Sequence, residues 1–258
     1  MMSKKLSILF VGETTITQNG SIKGYDLTFS VGYEESYLIM KEMLESLGHT
    51  FTHIPSHLAA RDFPRTLEAL RSYDVILFSD IGSDVFLLLP DMCRSGVRTV
   101  NLLKLIREYV SEGGGFAMIG GYSTFQGYEA KGNYKDTPIE EILPVTLLTY
   151  DDRVEVPEGA DLTCDPKRHE ILSGFPVQWP YILGYNRLIP KDGADVILTF
   201  EKDPIIALGS FGAGRTMAYA TDCTAHWAPD AMTGWEYYPI LWNRLLQWLA
   251  GSAQILDD

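Results

Sequence analysis

Gly113-Gly114-Gly115-Phe116-Ala117-Met118-Ile119-Gly120-Gly121-Tyr122-Ser123 is the stretch that decides the fold. Three glycines stop whatever precedes them, and a short run follows with no polar alternation. A strand buried on both faces reads this way, and such strands belong to parallel sheets covered by helices on each side. The run then passes through small residues into a sharp polar turn. A nucleophile elbow has this form, because its central residue sits on a strained strand-to-helix turn beside backbone N–H groups.

Working outward, the same unit recurs along the first half. Strands are expected at 6–11, 50–54, 74–79 and 116–120, and helices at 34–47, 64–71 and 97–112. In the first helix Tyr37, Met40, Met43, Leu44 and Leu47 form one apolar stripe, and Gly48 supplies a C-terminal stop. Alternating strands and helices imply an α/β fold with a doubly wound, mainly parallel sheet and right-handed crossovers.

The second half loses that rhythm. Candidate strands lie at 145–150 and 196–200 within a Pro- and Gly-rich segment. The segments 205–211 and 215–221 flank Gly212-Ala213-Gly214 as an antiparallel hairpin. A last helix at 235–250 aligns Tyr238, Leu241, Trp242, Leu245 and Leu249. With no linker, charge block or repeat, the expectation is one domain over 1–258, carrying irregular β additions at about 145–204.

Of 258 residues, 21 are Lys or Arg and 34 are Asp or Glu, giving a formal charge of −13. That balance argues against nucleic acid and against an anionic membrane surface, both of which recruit Lys and Arg. Apolar runs such as 85–89 are too short to span a bilayer. Three cysteines, Cys93, Cys164 and Cys223, make neither a disulfide framework nor a Cys-x-x-Cys metal site. The expectation is a cytoplasmic protein with no metal and no cofactor.

In an open parallel sheet ligands bind beyond the carboxyl ends of the strands. The residues expected there are Glu13, His57, Asp80, Ser83, Gly121 and Gln126 as ligand contacts. Tyr122, Ser123, Asp222, Cys223 and His226 are the candidates for chemistry. Asp222-Cys223-Thr224-Ala225-His226 sets a thiol three residues from an imidazole, so on a helical turn Cys223 and His226 would be neighbours, with Asp222 to orient the base. The alternative is a buried small Cys223, a capping Asp222, and His226 with Trp227 as a wall. His49 and His53 recur at four-residue spacing with His57 but are set aside, because Thr50-Phe51-Thr52 favours strand and Pro55 breaks any helix that would align the three. Trp227, Trp235, Tyr237, Tyr238, Trp242 and Trp248 could stack on a sugar, or form core or a subunit interface.

The glycines before the fourth strand, Met118-Ile119-Gly120-Gly121-Tyr122 at its end, Leu143-Pro144-Val145, and Gly214-Arg215 with Ala220-Thr221-Asp222-Cys223 and His226-Trp227 resemble bacterial members of the putative glutamine amidotransferase family. That family lies within the class I glutamine amidotransferase-like superfamily of flavodoxin-like folds. Related sheets occur in trehalose-utilisation-type proteins and in β-galactosidase trimerisation domains. The resemblance covers nearly the whole chain.

What the resemblance implies about chemistry is altered by one residue. Active members of the superfamily carry Gly-x-Cys-x-Gly at the elbow, where a histidine-activated thiolate attacks the glutamine amide. Aligning Gly120 with the first glycine places Tyr122 at the cysteine position. A phenol with an ordinary pKa of about 10 is mostly protonated at neutral pH. The expectation is therefore a glutamine amidotransferase-like protein without conventional glutaminase chemistry, binding or processing a small polar molecule. The rivals are a cysteine hydrolase or amidotransferase using Cys223 and His226, and a non-catalytic assembly module that forms a homo-oligomer.

Overall fold

The computed structural model describes residues 4–252. The first strand, β1 (Ser7–Gly12), runs into a two-stranded ribbon, β2 (Thr14–Lys23) and β3 (Asp26–Glu35), before the helix Leu38–Ser46 and strand β4 (Thr50–Ile54). β5 (Val75–Ser79) and β6 (Gly115–Ile119) follow, separated by the helix Leu102–Ser111. The second half supplies β7 (Val145–Thr146), β8 (Arg153–Ala160), β9 (Ile182–Asn186), β10 (Ile189–Pro190), β11 (Asp195–Phe200), β12 (Asp203–Phe211) and β13 (Gly214–Tyr219). The helix Tyr238–Leu249 comes last.

Seven strands form the central sheet in the order β11-β12-β13-β6-β5-β1-β4. The five from β13 to β4 are mutually parallel, and β12 and β11 add antiparallel at one edge. The expected α/β class, with its mainly parallel sheet and late hairpin, is what the chain forms. The crossover from β1 to β4 leads outward and that from β5 to β6 leads the other way. Right-handed connections therefore put their helices on opposite faces. Every residue of β5 and β6 is buried, which explains their unbroken apolar runs.

Several boundaries differ from the sequence expectation, for local reasons. The helix expected from 97 starts at Leu102, because the Asn101 side chain accepts the Lys104 N–H at 3.0 Å and caps it there. The helix expected at 64–71 is only Leu67–Leu70, capped by Thr66 on the Ala69 N–H. The helix expected from 34 starts at Leu38, since Glu34 and Glu35 are the last residues of β3. The strand expected at 145–150 is two residues long, and the larger β additions are β8 and β9, which pair antiparallel. Among the described residues no helix is long and apolar enough to cross a membrane.

Candidate functional site at the strand carboxyl ends

β1, β5, β6 and β13 lie close together in the sheet, and their carboxyl ends deliver Glu13, Ser79 with Asp80, Tyr122 with Ser123, and Asp222 with Cys223 to one place. The backbone there is strained. Glu13 has φ 53°, Asp80 φ 44° and His226 φ 132°, values that side-chain-bearing residues rarely adopt and that cluster at functional sites. Gly12, at φ 117°, is required for space as well, since a Cβ there would overlap the Ser79 carbonyl oxygen.

A buried knot of carboxyl, hydroxyl and thiol groups forms the floor. Ser79 Oγ donates to Glu13 Oε1 at 2.6 Å and stands 3.6 Å from Cys223 Sγ. Thr224 Oγ1 lies 3.2 Å from Glu13 Oε2 and 3.3 Å from Asp222 Oδ1. A hydroxyl carries one hydrogen, so Thr224 can donate to only one of these two carboxyls. Burial, with the charge of Asp80 beside it, pushes the Glu13 carboxyl up to about 7. Burial and the charges of Glu13 and Asp80 push Asp222 well above the usual carboxylate range. Burial drives the Cys223 thiol well above its ordinary value, and the neighbouring carboxylates of Glu13 and Asp222 add to the effect. This sulfur is held as a thiol.

The elbow is built differently from an oxyanion site. Asp80 Oδ1 accepts the Ser123 N–H at 2.6 Å, and Asn186 Oδ1 accepts the Gly121 N–H at 3.0 Å. Asp152 takes the N–H groups of Gln126 and Gly127 at 2.9 and 2.8 Å. The backbone donors that could cradle a developing negative charge are thus already engaged by carboxylates and an amide. Burial raises Asp80 above the usual carboxylate range, against the pull of the elbow amides and of His226.

Tyr122 itself forms part of a wall. Its hydroxyl donates to Glu155 Oε1 at 2.7 Å, and Trp227 Nε1 donates to Glu155 Oε2 at 3.0 Å. The Arg153 guanidinium lies 4.4 Å from the centres of both the Tyr122 and Tyr128 rings. Burial and the Glu155 carboxylate raise the Tyr122 phenol, away from ionisation at neutral pH. The exposed His226 ring meets the Tyr122 ring edge-on at 4.7 Å and stacks on Trp227 at 5.5 Å.

Of the residues singled out from sequence, Glu13, Asp80, Gly121, Tyr122, Ser123, Asp222, Cys223 and His226 are brought to this one place. Cys223 and His226 are not joined to each other: the thiol is fully buried and faces Ser79, the imidazole faces solvent and Tyr122, and no hydrogen bond links them among the described residues. Ser83 Oγ is spent on the Asn133 carbonyl at 2.8 Å, and Gln126 Oε1 accepts the Lys135 N–H at 2.9 Å, so both side chains hold the loop together. His57 stands exposed beside Tyr33, their ring centres 5.5 Å apart.

Sequence reasoning did not list Ser79, Thr224, Arg153 or Glu155. Arg153 and Glu155 alternate with Val154 and Val156 on β8, a period-two signal that does mark a strand with one polar face. The donor atoms of Glu13, Asp222 and Cys223 lie within 4.8 Å of one another and could hold one cation. The hydroxyl contacts of Ser79 and Thr224 satisfy the same carboxyls without one.

Comparison with known proteins agrees with this fold. Residues 7–251 match the family model described as putative glutamine amidotransferase. The cytoplasmic protein STM3548 of Salmonella typhimurium is 40% identical, with a TM-score of 0.90 over 94% of this chain and 98% of its own. The cytoplasmic protein STM1381 of Salmonella typhimurium LT2 is 38% identical, with a TM-score of 0.90 over 95% of this chain and 99% of its own. A ThuA-like protein of Parabacteroides merdae, 14% identical, shares the fold with a TM-score of 0.58 over 97% of this chain and 92% of its own. No curated protein matches the chain. On the family match over nearly its full length and on the two close structural relatives, the chain belongs to the putative glutamine amidotransferase family.

Proposed function

We propose that this is a cytoplasmic protein that binds or processes a small polar molecule at the carboxyl ends of β1, β5, β6 and β13, by carboxyl acid–base chemistry and without thiolate attack. The observation that carries the reading is the Thr224 hydroxyl set between the buried carboxyls of Glu13 and Asp222, with the Glu13 pKa near 7. Carboxyl groups this close and this buried cannot all ionise, so at neutral pH they hold protons between them. A group poised to give or take a proton near the working pH is the requirement for general acid–base catalysis. His226, Tyr122 and Trp227 supply an aromatic wall, and the acidic floor favours ligands rich in hydrogen-bond donors, such as amides, amino compounds and polyols. Both close relatives are cytoplasmic proteins, which supports this compartment.

The test is thermal unfolding of the wild type and of Glu13→Gln against a panel of amino acids, amides and sugars. A ligand that binds only the native state stabilises it by about 2.7 kcal/mol at one hundred times its Kd. Stabilisation that grows with concentration in the wild type and weakens in the variant is the expected result. A panel without any shift overturns the proposal, and ammonia release from glutamine at this site would replace it with the conventional reaction.

A further inference from the structure

The ribbon β2–β3 is absent from the sequence expectation and has no place in the site's chemistry. Its strands pair in register Ile16 with Tyr33, Gln18 with Val31, Gly20 with Phe29 and Ile22 with Leu27, closing through Gly24 and Tyr25. Directly opposed residues share a face. Ile16, Ile22, Leu27, Phe29, Val31 and Tyr33 therefore all lie on one side of the ribbon, and Thr15, Thr17, Asn19, Ser21, Lys23, Asp26, Thr28 and Ser30 on the other. This is the pattern of an antiparallel sheet with one face on a core. Yet the six apolar side chains are between 46% and 78% exposed.

Among the described residues of the protomer nothing covers that face. Among the described residues β2 and β3 pair only with each other, and the ribbon touches the body at its root, through Thr14 with Ser56 and Tyr33 with His57. A lone two-stranded ribbon is marginal in water. The face presents on the order of 700 Å² of apolar side chain, above the roughly 300–600 Å² of the largest patch on a typical monomer and close to the roughly 800 Å² per partner of a stable complex.

The geometry points to a second copy of this chain as the occupant, the apolar faces of two β2–β3 ribbons meeting about a two-fold axis. Charge favours this choice. The chain carries −13 overall, so two copies repel across most of their surfaces. From residue 14 to residue 33 the only charged side chains are Lys23 and Asp26, which cancel. Up to residue 33 the ribbon is thus a neutral surface on an acidic molecule, with Glu34 and Glu35 set at its root, and self-association through that neutral part avoids like-charge contact. A two-fold pairing buries the same six residues on both partners and leaves the polar faces in water.

Light scattering across low to high micromolar concentration tests this. The wild type should show twice the 28.9 kDa chain mass. The double variant Phe29→Glu, Val31→Glu should show half the wild-type value while keeping its far-UV spectrum and cooperative unfolding. Hydrogen exchange of wild-type amides 27–33 gives a readout independent of any variant: protection should fall on dilution in step with mass. A wild type that is monomeric throughout, a folded variant that stays dimeric, an assembly larger than a dimer, or ribbon amides that keep their protection where the mass has fallen to one chain would each overturn the pairing.

Discussion

Ser79 donates its hydroxyl hydrogen to Glu13 across 2.6 Å, joining the end of β5 to the end of β1 beneath the elbow. That bond stabilises charge on Glu13, yet burial outweighs it and the carboxyl rises to about 7. The balance makes Glu13 the group whose protonation is most open to measurement.

Stability should fall as pH rises from about 4.5 to about 7. In that window the unfolded Glu13 has lost its proton and the folded one has kept it, so the native state binds more protons and higher pH favours unfolding. The full effect is on the order of 3 kcal/mol. Glu13→Gln keeps the shape and removes the titration. Chemical denaturation at closely spaced pH values should show a shallower slope in the variant by roughly one proton, and equal slopes would contradict the assignment.

Native protein should react with one equivalent of a thiol reagent and denatured protein with three. Cys93 is exposed, whereas Cys164 and Cys223 are buried and their thiols are pushed upward by burial. Rapid native labelling at Cys223, identified by mass spectrometry of peptides, would reopen the Cys223/His226 hydrolase.

Placing a thiol at the elbow should not create a glutaminase. In Tyr122→Cys the Ser123 and Gly121 amides still bind Asp80 and Asn186, leaving no preformed donors for the tetrahedral oxyanion. Losing even one such donor typically costs 10²- to 10³-fold in rate. Ammonia release by the variant is expected at the background of the wild type, and an increase above it would show the elbow amides to be available.

Gly12→Ala should destabilise by roughly 3 kcal/mol or more, because the residue sits at φ 117° and its new methyl group would overlap the Ser79 carbonyl oxygen. Urea titration measures this directly. A loss below about 1 kcal/mol would mean that β1 and β5 can separate at their ends without cost.

The parallel sheet was legible because burial on both faces removes polar alternation. β5 and β6 announce themselves as apolar runs, and Gly113 to Gly115 mark where one begins. The list of strand-end residues was equally legible, since topology alone places Glu13, Asp80, Tyr122 and Asp222 at one edge. The ribbon could have been read from its alternation, Ile16, Gln18, Gly20, Ile22 and then Leu27, Phe29, Val31, Tyr33. Two such strands joined by Gly24 and Tyr25 are a hairpin signal with glycine at a positive φ of 63°.

By itself the sequence determined the α/β class and the edge of the sheet at which the polar residues gather, because these depend on periodicity and on the order of elements along the chain, while the family resemblance rested on particular residues such as Gly113 to Gly115 and Ala220 to Cys223. Only the tertiary structure decided that Cys223 points inward to Ser79 while His226 points outward to Tyr122, and that Asp80 occupies the elbow amides. Those outcomes depend on the direction of side chains at strand ends brought together from distant positions, and on how much water remains around them, neither of which is encoded in local spacing.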